Sequence, residues 1–179
     1  MGDEPREVEL SDDERRLLTR WAVACAERAL PLFEAGAPGD ARPRETVEAA
    51  RAYAFGDRRT KRLRTAAWAS TAAARDADDG GLVAAARAAA AAAGAPYIHA
   101  LATPHQVKHI HGPALYLALA REAAAGGDPA AGEAEVRWAI EHAPPGLREI
   151  VRRFPAGDLG DGRTRQSRLR RLLDEGLRG

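Results

Sequence analysis

The chain has 179 residues, 45% hydrophobic and 30% charged, a composition suited to a globular protein large enough to bury a sizeable core. A formal net charge of +1 excludes a global field steering it to nucleic acid or a membrane surface, and the single cysteine, Cys25, excludes an internal disulfide. No apolar run approaches the roughly 20 residues of a membrane span, and the acidic start MGDEPREVELSDDERR lacks the apolar stretch of a secretion signal, so a cytoplasmic protein with no membrane partner is expected.

In chain order, residues 1–10 read as a flexible acidic N-terminus. Ser11 with Glu14 forms a capping box, after which Leu18, Trp21, Cys25, Leu32 and Phe33 recur at helical spacing until Gly36. Asp40, Arg42 and Pro43 open a second helix with Val47, Ala50, Tyr53 and Ala54 on its apolar face, ending at Gly56. Asp57 is placed to cap a third, running through Leu63, Ala67, Trp68 and Ala74 to the DADDGG break. An alanine-rich fourth starts near Leu82 and pauses at Gly94–Pro96, and a fifth spans Thr103, as N-cap, to Ala125. Asp128–Pro129 opens a sixth, stopped by the prolines at 144 and 145; a short seventh covers Leu147 to Arg153; the GDLGDG stretch is a loop; and an Arg-rich amphipathic helix ends the chain through Leu169, Leu172, Leu173 and Leu177. No segment alternates as a strand would. The fold expected is all-α, a single-domain bundle of about seven to eight helices, with a core at 11–126 and a C-terminal helical extension at 127–179 packed on it. Aromatics are only 5%, so helices should meet through alanine around a few anchors: Trp21, Phe33, Tyr53, Phe55, Trp68, Tyr97, Tyr116, Trp138 and Phe154.

The fifth helix carries the most unusual pattern. At about 100° per residue, His105, His109, Gly112 and Tyr116 share one narrow stripe, expected to face inward and to extend through Ile98, Leu101 and Leu119 if the helix is continuous. Gly112 lets a helix or ligand approach the backbone, and Pro113 cannot bond the carbonyl of His109. Three readings stay open: core histidines with partners across helices, a pocket with His105 and His109 as acid and base and Tyr116 as donor, or two imidazoles sharing a metal. The last needs a third ligand such as Glu27, Glu34, Asp40 or His99, and Gln106 stands where the zinc-protease pattern requires Glu. His111 falls on another face and is expected in solvent.

Three blocks of residues resemble the bacterial immunity-protein-five-like family over roughly residues 18–120. The first contains Trp21, Ala26, Glu27, Leu30, Pro31, Phe33 and Glu34. The second runs from Pro38 through Asp40, Arg42, Pro43, Val47, Glu48, Ala49, Arg51, Ala52 and Tyr53 to Gly56. The third is the T-x-H-x-x-x-H-x-x-G-x-x-x-Y pattern of Thr103, His105, His109, Gly112 and Tyr116. The chain departs from the family at Pro104 and Pro113, where alanine is usual, and adds a portion from about residue 128 onward.

The resemblance implies an α-helical protein of polymorphic-toxin neighbourhoods that binds and blocks a cognate toxin. It brings no enzymatic activity with it. Within the matching positions, Glu27, Asp40, Arg42, Arg51, His105 and His109 read as an inward-facing network, with Asp40 paired to Arg42 or Arg51. Two functions follow: stoichiometric association with a toxin or other protein, or a small enzyme or ligand-binding protein of specialised metabolism using a pocket around His105, His109 and Tyr116. No cofactor or metal is expected. Arginines 163, 165, 168, 170 and 171 cluster near the C-terminus, but the leucines between them point to docking on the protein's own body or a second subunit rather than on nucleic acid. Cys25 lies on the Trp21 stripe as a small hydrophobe.

Overall fold

The computed structural model describes residues 6–156 and 159–179. Eight α-helices and no strand occur among them: α1 (Asp12–Gly36), α2 (Arg42–Ala54), α3 (Lys61–Asp76), α4 (Gly80–Gly94), α5 (Pro104–Ala124), α6 (Pro129–Glu141), α7 (Pro145–Arg153) and α8 (Arg165–Arg178). The capping box forms as expected, Glu14 N–H donating to Ser11 Oγ and Ser11 N–H to the Glu14 carboxylate. α5 likewise starts at Pro104 behind Thr103. It runs unbroken through Pro113. α3, by contrast, begins at Lys61 behind Thr60, so Asp57 does not cap it.

α4 lies between α1, α2, α3 and α5. A helix apolar on all sides must be surrounded, and its buried residues are Gly81 and the alanines 84, 85, 86, 88, 89, 92 and 93. Methyl side chains let neighbouring backbones come close enough for short hydroxyls to cross between helices. Ser70 Oγ of α3 donates to Ala86 O of α4 at 2.8 Å, and Thr46 Oγ1 of α2 to Ala66 O of α3 at 2.7 Å. The large buried side chains, among them Phe33, Tyr53, Leu115, Leu117 and Phe154, come from the surrounding elements.

Two anchors expected in the core are outside it. Trp68 is 66% exposed and Phe55 68%. Trp68 stands five residues beyond the buried Leu63, roughly 140° around the helix from it, and Phe55 follows the last turn of α2.

Within the stretch expected to be flexible, Val8 is buried and Leu10 half-buried, Val8 N–H donates to Ala100 O at 2.9 Å, and Ala102 N–H donates to Arg6 O at 2.8 Å, while Arg6, Glu7 and Glu9 are exposed. Residues 1–5, and the first two of the GDLGDG loop, lie outside the described residues. A 3₁₀ turn (Ala95–Tyr97) and an extended stretch separate α4 from α5, so Ile98 and Leu101 do not continue the histidine stripe.

The C-terminal helix docks on the protein's own body, against α5, α6 and α7. Leu169, Leu173 and Leu177 are buried, whereas Leu172 is 43% exposed. Arg165 pairs with Glu122 at 2.7 Å and Glu133 at 2.9 Å, and Arg148 donates to Ile140 O and Gly176 O. Gly176 is required there, since a Cβ would stand 2.3 Å from Ile140 Cδ1. In the middle of α6, the buried Glu135 accepts two bonds from Arg28, at 2.8 and 3.0 Å, and faces Arg121 at 3.3 Å, joining α1, α5 and α6.

Because Ala92 of α4 is fully enclosed by its neighbours, Ala92→Leu is expected to destabilise the protein by about 1–3 kcal/mol through overpacking. A urea midpoint lowered at unchanged slope checks it.

Candidate functional site

The segment between α4 and α5 is held by groups that reach its carbonyls from other elements. Arg15 of α1 donates to Ile98 O at 2.5 Å, Arg59 of the α2–α3 connection donates to Pro96 O at 3.2 Å, and Tyr97 OH donates to Thr60 O at 3.1 Å. Gln106 Oε1, on the first turn of α5, accepts from His99 N–H at 3.0 Å. These ties leave a hollow of about 550 Å³ whose walls include Arg15, Arg59, Arg64, Trp68, Tyr97 and His99. A second hollow of about 560 Å³ shares Arg59, Arg64 and Tyr97 and adds Thr60 and Lys61.

Its electrostatics are one-sided. Arg15, Arg59, Lys61 and Arg64 line the two hollows, and among the described residues no carboxylate does. Arg64 lies over the Tyr97 ring, 4.9 Å from its centroid. Arg15 is held below the usual guanidinium range by burial first and by the charge of Arg59 second. A site of this kind, cationic with an exposed indole at its edge, is suited to an anionic group carried on a larger surface.

The residues expected to form the site are placed differently. His105 and His109 are exposed rather than inward-facing, with their Nε2 atoms 3.0 Å apart. At that separation one nitrogen must donate and the other accept, so both cannot carry the Nε2 proton. His109 is pushed below its ordinary value by burial, then by the charges of His105 and His99. Gly112 serves close helix packing, a Cβ there meeting Ala91 Cβ at 3.2 Å. Tyr116 is half-buried, with Arg87 5.9 Å from its ring centroid.

The presumed inward network is also at the surface. Arg51 pairs with Glu27 at 2.6 Å, their side chains 59% and 39% exposed. Of the two pairings foreseen for Asp40, the one with Arg42 forms, at 2.6 Å, and Arg42 also holds Asp76 at 2.8 Å. No group of three metal-ligating side chains occurs among the described residues. Cys25 is buried, and burial pushes its thiol up, leaving no thiolate at neutral pH.

The histidine expected in solvent is the buried one. His111 is fully inaccessible, its Nε2 3.3 Å from Asp174 Oδ1 on α8, without the alignment of a hydrogen bond. Asp174 also receives Arg178 Nε at 2.8 Å. Burial is the largest influence on His111 and lowers it; Asp174 offsets this in part, and the charges of Arg170 and Arg178 add to the lowering. Burial raises Asp174, but His111 and Arg178 together outweigh it and hold the carboxyl below its ordinary value. His111 lies four positions after Val107 and four before Leu115, both buried, but α5 carries apolar residues on every side, so that spacing does not by itself mark the face.

A family model described as "Imm-5 like putative immunity protein" matches residues 8–145, and the chain belongs to that family. The match extends through α6, so the portion outside it begins at residue 146 rather than near 128. Among curated proteins and among solved structures, nothing matches the chain.

Two outcomes follow. His105→Ala and His109→Ala, being surface changes, should each alter stability by less than about 0.5 kcal/mol, read from denaturant melts. For His111 the folded value lies below the unfolded value of about 6.5, so the unfolded chain takes up the proton first as pH falls. Stability is full above about pH 6.5 and declines below it, and His109 adds to the same trend. The melting temperature should drop between about pH 7.5 and about 5.5, less steeply in His111→Gln than in the parent.

Proposed function

We propose that this member of the Imm5-like family is a binding protein of the immunity type, associating one-to-one with a cognate toxin in the cytoplasm and needing no chemistry of its own. Membership of the family supports a toxin-immunity role and a protein partner. The observation that carries the reading is Trp68, 66% exposed at the mouth of the arginine-lined hollow. A solvated indole adds little to the stability of the free protein, whereas burying one at an interface is among the largest single contributions a side chain makes to association. No helix among the described residues is long and apolar enough to cross a membrane, so none offers a membrane anchor.

The enzyme reading, with His105, His109 and Tyr116 in a pocket, calls for an enclosed site. Both imidazoles are exposed and engaged with each other. We therefore favour association over catalysis.

The partner to test is a toxin domain from a gene adjoining this one. Titration calorimetry should give 1:1 binding at micromolar concentration or tighter, and Trp68→Ala should weaken it at least about 10-fold, or 1.4 kcal/mol. The variant's melting temperature should stay close to the parent's, because Trp68 is exposed. Absence of association at micromolar concentration would sink the proposal.

A further inference from the structure

We infer that the hollow formed by Arg15, Arg59, Lys61, Arg64, Tyr97 and Trp68 receives an acidic segment of the protein partner, its carboxylates held by the arginine forks and its backbone lying against the Trp68 ring. This inference deepens the immunity reading and rests on it for the identity of the partner.

The chain contains two basic clusters, and the structure separates them. On α8, Arg165 is neutralised by Glu122 and Glu133 and Arg178 by Asp174, while Arg171 donates to Gly160 O; just before the helix, Arg163 pairs with Asp161. Arg168 forms no ion pair among the described residues, but the cleft it lines also holds Glu133, Asp161 and Glu175, so its charge is offset. At the hollow, Arg59 reaches only a backbone carbonyl, Arg64 lies on a ring, and neither makes an ion pair among the described residues. Arg59 repels Arg15, and Asp12 and Glu14 offset that repulsion only in part, since burial and Arg59 still hold Arg15 below the usual guanidinium range. An incoming carboxylate relieves that repulsion as well as forming new bonds, so its binding is favoured twice.

Geometry selects the kind of anion. Guanidinium forks match carboxylates two bonds at a time, whereas a nucleic acid requires a long positive track along its phosphates. With Arg15, Arg59, Lys61 and Arg64 set aside, 23 of the chain's 27 basic residues face 26 acidic ones, which denies a polyanion that track. Arg, Trp and Tyr together are also the side chains that concentrate binding energy where proteins meet.

The test uses the full chain and a fluorescein-labelled deca-glutamate peptide, followed by anisotropy at about 20 and about 200 mM salt. The parent should bind saturably and lose affinity at the higher salt. Arg59→Gln/Arg64→Gln should bind at least about 10-fold more weakly, and Trp68→Ala several-fold more weakly, while Arg168→Gln on α8 stays within about twofold. Circular dichroism melts establish that the Arg59 variant, which loses its bond to Pro96, is folded; Arg64→Gln alone, making no such bond, carries the same expectation at smaller amplitude. No peptide binding by the parent, or equal binding by parent and arginine variants, overturns the inference. So does stronger displacement of the peptide by pyrophosphate or single-stranded DNA than by free glutamate peptide, which would assign the hollow to phosphates. Toxin binding that survives in the arginine double variant removes this site and leaves the immunity reading; peptide binding without toxin binding does the reverse.

Discussion

α4 meets α1, α2, α3 and α5 through methyl groups, and the closeness of those approaches sets the terms for everything packed around it. Dispersion falls off steeply with distance, so an alanine interface holds only where backbones are in near contact. On its enclosed faces α4 carries only glycine and alanine, and its larger residues Leu82, Val83 and Arg87 are half-buried or exposed. Large buried side chains enter from outside, as Phe33 does from α1 and Tyr53 from α2. The same closeness lets Ser70 satisfy its hydroxyl on a carbonyl of the next helix, and it explains why Gly112 on α5 faces Ala91 on α4.

With so few large apolar contacts, arginine supplies much of the cross-bracing. Arg16 and Arg20 reach the terminal carbonyls of α2, Tyr53 O and Ala54 O. Arg152 reaches Arg178 O and Gly179 O at the end of α8, and Arg121 reaches Arg28 O on α1. The last carbonyls of a helix lack partners within it and carry partial negative charge, so a guanidinium there is well placed twice over. The arginine abundance is therefore largely structural. The hollow beside Trp68 stands apart because its arginines exceed the acceptors that the described fold brings to them.

Elements that announce themselves locally were legible in the sequence. Ser11 with Glu14, Pro104 behind Thr103, and Asp128–Pro129 mark helix starts by short-range chemistry, and each helix follows. The orientation of α5 was not legible in the same way. Its apolar residues are spread around the helix, so periodicity singled out no buried face, and both His105 and His111 were assigned to the wrong environment. Burial of His111 depends on α8, some sixty residues away in the chain. The hollow was equally invisible, since Arg15, Arg59, Arg64 and Tyr97 come together only through tertiary packing. Trp68 was expected in the core as well, although its angle from Leu63 on α3 turns it to solvent.

The meeting of His111 with Asp174 crosses the limit of the family match, which ends at residue 145. The matched part keeps a histidine interior only because α8, outside the match, covers it, and Leu169, Leu173 and Leu177 fill what would otherwise be an open apolar trough. Both parts therefore contribute to one core, and a chain cut after residue 145 would open a buried imidazole and its apolar surroundings to water.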